Sequence, residues 1–333
     1  MSSTPRIAAF EQQHLDEAAR LVAERQARLH AVEPGFSQRW CDPAQARILV
    51  EAAATAERAS GVVALLDGRM AGFLVGSLRL NAPWERSGWV ELAGNAVDAG
   101  NPDLARDLFA AWSEPLVREM GAFRFLVNVP VPDREAMEAW HQLGFGQMHA
   151  YGLRSTEEAG PGELPREFSI RRAAPDDEAV MAATSELIWR EQVGPPSYSP
   201  ITAEQVASLR ADYVEELTLD EDHVWVAVDD ATGEALGVSI SYRLDPDLDV
   251  PDDNMKLAST TTFPAARRRG VARLLVAEVL RNARELGAAW CVTDWRTSSL
   301  RASRTWTSLG FRPTHVRLER RLDERIAWAD GAA

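Results

Sequence analysis

The chain has 333 residues, 46% of them apolar and 26% charged, with a net charge of −14, two cysteines and six histidines. Its length is about twice that of a typical domain, so two cores are expected, and the balance excludes disordered, collagen-like and coiled-coil chains. No apolar run reaches the ~18 residues of a membrane span, no secretory leader is visible, and the acidic balance argues against broad nucleic-acid contact.

Cys41 and Cys291 stand too far apart for a metal spacing or a disulfide framework, and the histidines show no ligand spacing. The expectation is a soluble cytoplasmic protein with no metal, no nucleic acid and no membrane among its partners. Lys256 is the sole lysine among many arginines.

Along the first half, four segments foreshadow segments of the second. Arg6-Ile-Ala-Ala returns at Ile170-Arg-Arg-Ala-Ala174. The stretch Val62-Val-Ala-Leu-Leu-Asp-Gly-Arg-Met-Ala-Gly72 resembles Val224-Trp-Val-Ala-Val-Asp-Asp and on to Gly237, at an offset near 165. Leu78-Arg-Leu80 returns as Tyr242-Arg-Leu244, and Trp140-His-Gln-Leu-Gly-Phe145 returns as Trp306-Thr-Ser-Leu-Gly-Phe311, at offsets of 164 and 166. Four pairs in one order at almost one offset indicate a duplicated domain. Residues 155–166, with two glycines, two prolines and no apolar period, read as a linker. The halves are then 1–154 and 167–333.

In the second half Phe168-Ser-Ile-Arg-Arg reads as a strand, and Pro175-Asp-Asp opens a helix with acidic residues in its first turn. A loop with Pro195, Pro196 and Pro200 leads to a helix over 202–217. Val224-Trp-Val-Ala-Val228 and residues 236–244 form a hairpin about a turn at 229–233. A threonine-rich strand is predicted over 255–263. Val271, Leu274, Leu275, Val279, Ala283 and Leu286 then line one stripe of a helix that stops at Gly287. A strand over 289–295, a helix opened at or near Ser299 and a strand over 314–321 complete the order β-α-α-β-β-β-α-β-α-β. This is a mixed α/β unit around one sheet.

The stretch Thr260-Thr-Thr-Phe-Pro-Ala-Ala-Arg-Arg-Arg-Gly-Val-Ala-Arg-Leu-Leu275 carries the chemistry. A strand runs through a short basic loop straight into a helix. Amides at a helix N-terminus have no internal partner, and the helix dipole adds positive charge there, so the place suits a phosphate or pyrophosphate. Gly270 allows close approach, and Arg267, Arg268 and Arg269 add fixed charge in an otherwise acidic chain. The alternative is a surface turn with solvated arginines.

Arg267-Arg-Arg-Gly-Val-Ala272 resembles the Gln/Arg-x-x-Gly-x-Gly/Ala signature of the GNAT superfamily of acyl-CoA-dependent N-acyltransferases. The closing Trp306-Thr-Ser-Leu-Gly-Phe311 is similar to that family's aromatic-x-x-Leu-Gly-Phe, and the element order is the GNAT order. The duplicated length is similar in layout to the tandem GNAT proteins of actinobacteria, the group that includes mycothiol synthase. The resemblance implies acetyl-CoA as co-substrate. The backbone of Thr260, Thr261 and Thr262 would pair with the pantetheine arm. The amides of Arg268, Arg269, Gly270, Val271, Ala272 and Arg273 would hold the pyrophosphate, with Arg267 and Arg268 reaching the CoA phosphates. Where the family has an asparagine and a tyrosine in the last helix, this chain has Ser299 and Trp306. Ser299 reads equally as an N-cap, and Trp306 as an aromatic wall rather than a proton donor.

For general base chemistry the candidates are Asp294 and Tyr242, with Tyr198 and Glu191 near the acceptor. Asp294 and Arg296 share a strand face, so a structural Asp–Arg pair is the alternative. His223, at a strand start, reads as a surface residue. In the first half the matching place is Pro102-Asp-Leu-Ala-Arg-Asp107, which has no glycine and two carboxylates where a pyrophosphate needs positive charge. That half is read as a GNAT-like domain without a cofactor site. The expected activity is acetyl transfer to the amine of a small molecule. The rivals are a longer acyl-CoA as donor and a CoA-binding protein without turnover. The assembly is expected to be a monomer with a pseudo-symmetric domain pair, or a homodimer.

Overall fold

The computed structural model describes residues 4–81, 84–158, 167–219 and 223–327. The first half comprises β1 (Arg6–Ala9), α1 (Leu15–Val32), α2 (Pro43–Thr55), β2 (Ala59–Leu66), β3 (Arg69–Arg79), β4 (Ser87–Val90), β5 (Asn95–Val97), α3 (Leu104–Arg118), β6 (Arg124–Pro130), α4 (Arg134–Gln142) and β7 (Gly146–Ser155). The second comprises β8 (Phe168–Arg172), α5 (Glu178–Val193), α6 (Ala203–Glu215), β9 (His223–Asp229), β10 (Ala235–Tyr242), β11 (Asn254–Thr262), α7 (Val271–Glu285), β12 (Trp290–Arg296), α8 (Leu300–Ser308) and β13 (Arg312–Arg321). The mixed α/β expectation and the order of elements hold.

Local chemistry sets the helix starts. Asp42 caps α2, with Pro43 in its first turn. The Thr202 hydroxyl accepts from the Gln205 amide, and Gln205 Oε1 accepts from the Thr202 amide at 2.8 Å, a reciprocal box that starts α6. The repeated aromatic motif recurs in packing: Trp140 meets Phe145 edge-on at 5.1 Å, and Trp306 meets Phe311 at 5.4 Å.

The chain forms two compact units. One is Met1–Ala150 with Pro246–Pro251 and Pro313–Ala333; the other is Tyr151–Asp245 with Asp252–Arg312. In the first unit the strand order is β1-β2-β3-β4-β6-β13, with β5 on β3. In the second it is β7-β12-β11-β10-β9-β8. Halves drawn at 1–154 and 167–333 give β7 to the first and β13 to the second; the compact units place the end of β7, from Tyr151, in the second and β13, from Pro313, in the first. β13 pairs antiparallel with β6, from His315↔Pro130 to Arg321↔Arg124, and buries Val316 and Leu318 in the first unit. Residues 246–251, between β10 and β11, join that unit too, and Leu248 is part of its core.

Residues 159–166 lie outside the described residues, but Ser155 ends β7 and Thr156 is fully buried. The Thr156 hydroxyl donates to the Ala288 carbonyl at 2.8 Å, which is why 155 and 156 are structure and not tether. No helix among the described residues is long and apolar enough to cross a membrane.

Candidate active site

The site of the second unit begins with a strand that loses one neighbour. β11 pairs with β10 along its length, but its parallel register with β12 covers Asn254↔Trp290 to Lys256↔Val292. The Thr293 hydroxyl still reaches the Leu257 carbonyl at 2.9 Å. On the β10 side the register steps from Ser241↔Leu257 to Ile240↔Ser259, so Ala258 is a bulge. A bulge bends and twists its strand, and here it stands where β11 and β12 part. Thr260, Thr261 and Thr262 lie beyond that point, bonded to β10 on one edge, with Thr261 buried and the other two half-buried.

The loop that follows is shaped for an open helix start. Pro264–Ala266 makes one tight turn, Arg268 has φ +64° and Gly270 φ +90°. Glycine takes that left-handed conformation without a Cβ clash. No side chain caps α7, and the Leu274 amide makes the first donation into the helix, to the Gly270 carbonyl at 3.1 Å. The amides of Val271, Ala272 and Arg273 are therefore left for an external acceptor at the positive end of the dipole.

The arginines around this start divide by partner. Arg267 Nη2 donates to Glu191 Oε1 at 3.1 Å, and Arg301 of α8 bonds the same oxygen. Arg269 reaches Asp229 at 3.4 Å and lies 4.5 Å over the Phe168 ring. Arg268 and Arg273 are exposed and form no ion pair among the described residues. Glu191 thus ties α5, the loop and α8 together.

The remaining candidates fall into two groups. Ser299 caps α8, its hydroxyl accepting from the Ala302 amide at 3.3 Å. Trp306 is 7% exposed and packed on Phe311. Asp294 bonds the Lys256 ammonium. The reason is register: Lys256 is opposite Val292 on the adjoining strand, within reach of the residue two further on. Tyr242, half-buried, is opposite Lys256 on β10. Tyr198 is 71% exposed, and the His223 ring is bonded to Arg172.

Sequence reading missed Tyr213 and Ser259. The Tyr213 hydroxyl, on α6, donates to Ser259 Oγ at 3.1 Å next to the bulge. Burial pushes the Tyr213 phenol up to about 12, with the charges of Glu216, Tyr242 and Asp294 adding to the effect. Tyr213, Ser259, Tyr242, Lys256 and Asp294 are thus one polar cluster beside the strand split. The available signal was Lys256, a single lysine placed on a strand.

In the first half α3 starts behind Asp103, which bonds Arg106 at 2.8 Å, and Asp107 is in its first turn. Carboxylates stand where α7 has its open amides.

Residues 184–311 match the family described as Acetyltransferase (GNAT) family. Comparison with curated proteins finds no match. Among solved structures, a GCN5-related N-acetyltransferase from Sphaerobacter thermophilus is similar with a TM-score of 0.59 at 18% identity, over 95% of each chain. A tandem GNAT protein from the clavulanic acid biosynthesis pathway, solved without AcCoA, is similar with a TM-score of 0.51 at 15% identity, over 96% of this chain and 98% of that one. An acetyltransferase from the GNAT family of Colwellia psychrerythraea reaches 0.50 at 12% identity, over 96% of this chain and all of that one. The chain thus has the GNAT fold in tandem, and the segment that matches the GNAT acetyltransferase family, residues 184–311, is the one that holds the strand split and the open start of α7.

Proposed function

We propose that this protein is an N-acetyltransferase that passes the acetyl group of acetyl-CoA to a primary amine of a small molecule, with its active site in the second half. The observation that carries this reading is the uncapped start of α7 behind Gly270, preceded by a strand with one edge released at the split. Amides 268–273 would hold the pyrophosphate, Arg268 and Arg273 would meet CoA phosphates, and Thr260, Thr261 and Thr262 would pair with the pantetheine through their backbone. Arg267 would leave Glu191 to join them. Ser299 stays with its helix as cap, and Trp306 serves as a wall.

Amide formation needs an uncharged amine to attack the thioester carbonyl, loss of one amine proton and departure of the CoA thiolate. Lys256 occupies Asp294, so this carboxylate sets the position of the ammonium more than it accepts a substrate proton. The Tyr213–Ser259 pair and Tyr242 supply hydroxyls beside the split. Orientation of amine and thioester contributes much of the rate in such a site.

The test is calorimetry with CoA followed by release of free CoA thiol from acetyl-CoA in the presence of amines. One CoA per chain is expected, and Gly270→Glu, which adds bulk and negative charge to the cradle, should remove binding. Two CoA per chain, or unchanged affinity in that variant, would refute the placement. Bound CoA with no thiol release across polyamines, amino acids and aminoglycosides would favour a binding protein without turnover, the reading that Trp306 in place of a phenol keeps open. Faster release from a longer acyl-CoA would change the donor.

A further inference from the structure

The first unit has a cleft of its own where its central parallel strands separate. β4 pairs with β6 from Ser87↔Arg124 to Val90↔Val127, and the chain then turns through Leu92–Gly94 into β5, which pairs with β3. A concavity of about 350 Å³ opens there. Leu49 of α2, Val75 of β3 and Trp89 of β4 line it, together with the carboxylates of Glu91, Asp247 and Asp249. Clefts at such a strand separation, mostly apolar with a few convergent polar groups, are the usual form of a small-molecule site.

The carboxylates are positioned in advance. Glu91 Oε2 accepts from Asn128 Nδ2 at 2.7 Å, and Oε1 accepts from Arg79 at 3.1 Å and from the Trp89 indole. Asp249 Oδ2 is 2.8 Å from Nε2 of the buried His315. The segment that bears Asp247 and Asp249 is pinned by the buried Leu248, whose carbonyl accepts from Gln26 Nε2 at 2.9 Å, and by the Asp247↔Val250 bridge. Asp247 is left over: its carboxylate accepts from the Leu248 amide at 2.7 Å and forms no ion pair among the described residues. It is open to solvent but surrounded by protein in the concavity. That environment, with the charges of Asp249 and Glu91 and against that of His315, pushes its carboxyl up to about 6.

The chemistry narrows the ligand. Among the described residues no group of three or more His, Cys, Asp or Glu is spaced to hold a metal ion. The Trp89 ring already has Arg79 at 3.6 Å and Arg317 at 4.4 Å, so it is a wall and not an open cage for a quaternary ammonium. The start of α3 carries carboxylates, so no phosphate-bearing tail is served here. We propose that this cleft binds a small primary ammonium ion with a short aliphatic body, its N–H donors on Asp247 between Asp249 and Glu91 and its methylenes on Leu49 and Val75. The proposal does not rest on catalysis in the second half.

The probe is 1,4-diaminobutane, titrated calorimetrically into the full chain at low ionic strength, with 1-butanol as the uncharged control. Saturable binding of the diamine and none of the alcohol are expected. Asp247→Asn should weaken it by about tenfold or more, while Asp247→Glu keeps it, with melting temperatures verifying that both variants are folded. Binding should also weaken from about pH 8 to about pH 5, because Glu91 is paired with Arg79 and Asp249 with His315 while protonating Asp247 removes the unpaired carboxylate charge, and Asp247→Asn should flatten that profile. Glu278→Gln, on α7 of the second unit and paired with Arg281, should leave it unchanged. Equal binding of alcohol and diamine, wild-type affinity in Asp247→Asn, loss in Glu278→Gln, or no saturation into the millimolar range would each overturn the assignment.

Discussion

Trp306 stands where the GNAT resemblance places a phenol, and its packing on Phe311 makes a specific expectation possible. Trp306→Phe keeps an aromatic ring against Phe311 and should retain most of any acetyl transfer. Trp306→Ala leaves a cavity in a buried site and should lower stability by about 3–5 kcal/mol, measured by urea unfolding. A Phe variant that binds CoA normally but turns over a thousandfold more slowly would make the indole N–H part of the chemistry. Asp177 gives a second test at this scale. It is buried, accepts from Arg171 at 2.6 and 2.7 Å and from the Ala174 amide at 2.8 Å, and the Arg171 guanidinium holds its carboxyl below the usual carboxylate range. Its folded value being depressed, its contribution is complete above the unfolded value near 4 and is lost as pH falls through the folded one. Asp177→Ala should cost about 2 kcal/mol at neutral pH and reduce the acid sensitivity of unfolding. Which residues bear on the site was only partly legible. That Asp294 and Arg296 alternate onto one face is local, whereas the Lys256–Asp294 pair depends on the register with β11.

At the scale of elements the two repeats use one device to seat a helix on a sheet. A Cβ at Gly237 of β10 would meet the Thr261 carbonyl, with Val271 and Leu275 of α7 at 3.1 and 3.3 Å; one at Gly72 of β3 would stand 2.9 Å from Val97 and 3.3 Å from Leu108 of α3. The missing side chain lets each helix lie close on the strands beneath it. Gly237→Ala should therefore destabilise the second unit by about 1–3 kcal/mol, and because it presses on the strand–helix pair that bears the proposed phosphate cradle, any CoA affinity should fall with it. Calorimetry beside thermal unfolding checks both; an unchanged melting temperature would show that β11 can yield without cost. The glycines were readable as a repeated position. Their role required knowing which helix crosses which strand.

At the scale of the molecule, the compact units do not follow the duplication. The first contains β13 and residues 246–251 from the second repeat, and the second contains the end of β7 from the first. A chain cut to 167–333 keeps β13 without the β6 it pairs with and lacks β7 beside β12. Such a fragment exposes unpaired strand edges and is expected to aggregate or to unfold well below the full chain. A monodisperse fragment of equal stability, by sedimentation and scanning calorimetry, would refute this. Truncation after Arg312 should similarly remove cooperative unfolding of the first unit, since Val316, Leu318 and the His315–Asp249 contact go with it.

What the chain declares locally, it declared in sequence: the order of elements, the duplication, the cap at Ser299, and the glycine at the start of α7. These depend on near neighbours, on periodicity and on backbone conformations that few residues adopt. The tertiary structure decided the rest. Two repeats of one pattern offer β7 and β13 equivalent slots, and alternation alone does not distinguish them; buried contacts made far along the chain do. The same long-range choice set Lys256 against Asp294, Tyr213 against Ser259, and Asp247 and Asp249 into a cleft more than a hundred residues away in sequence from Glu91.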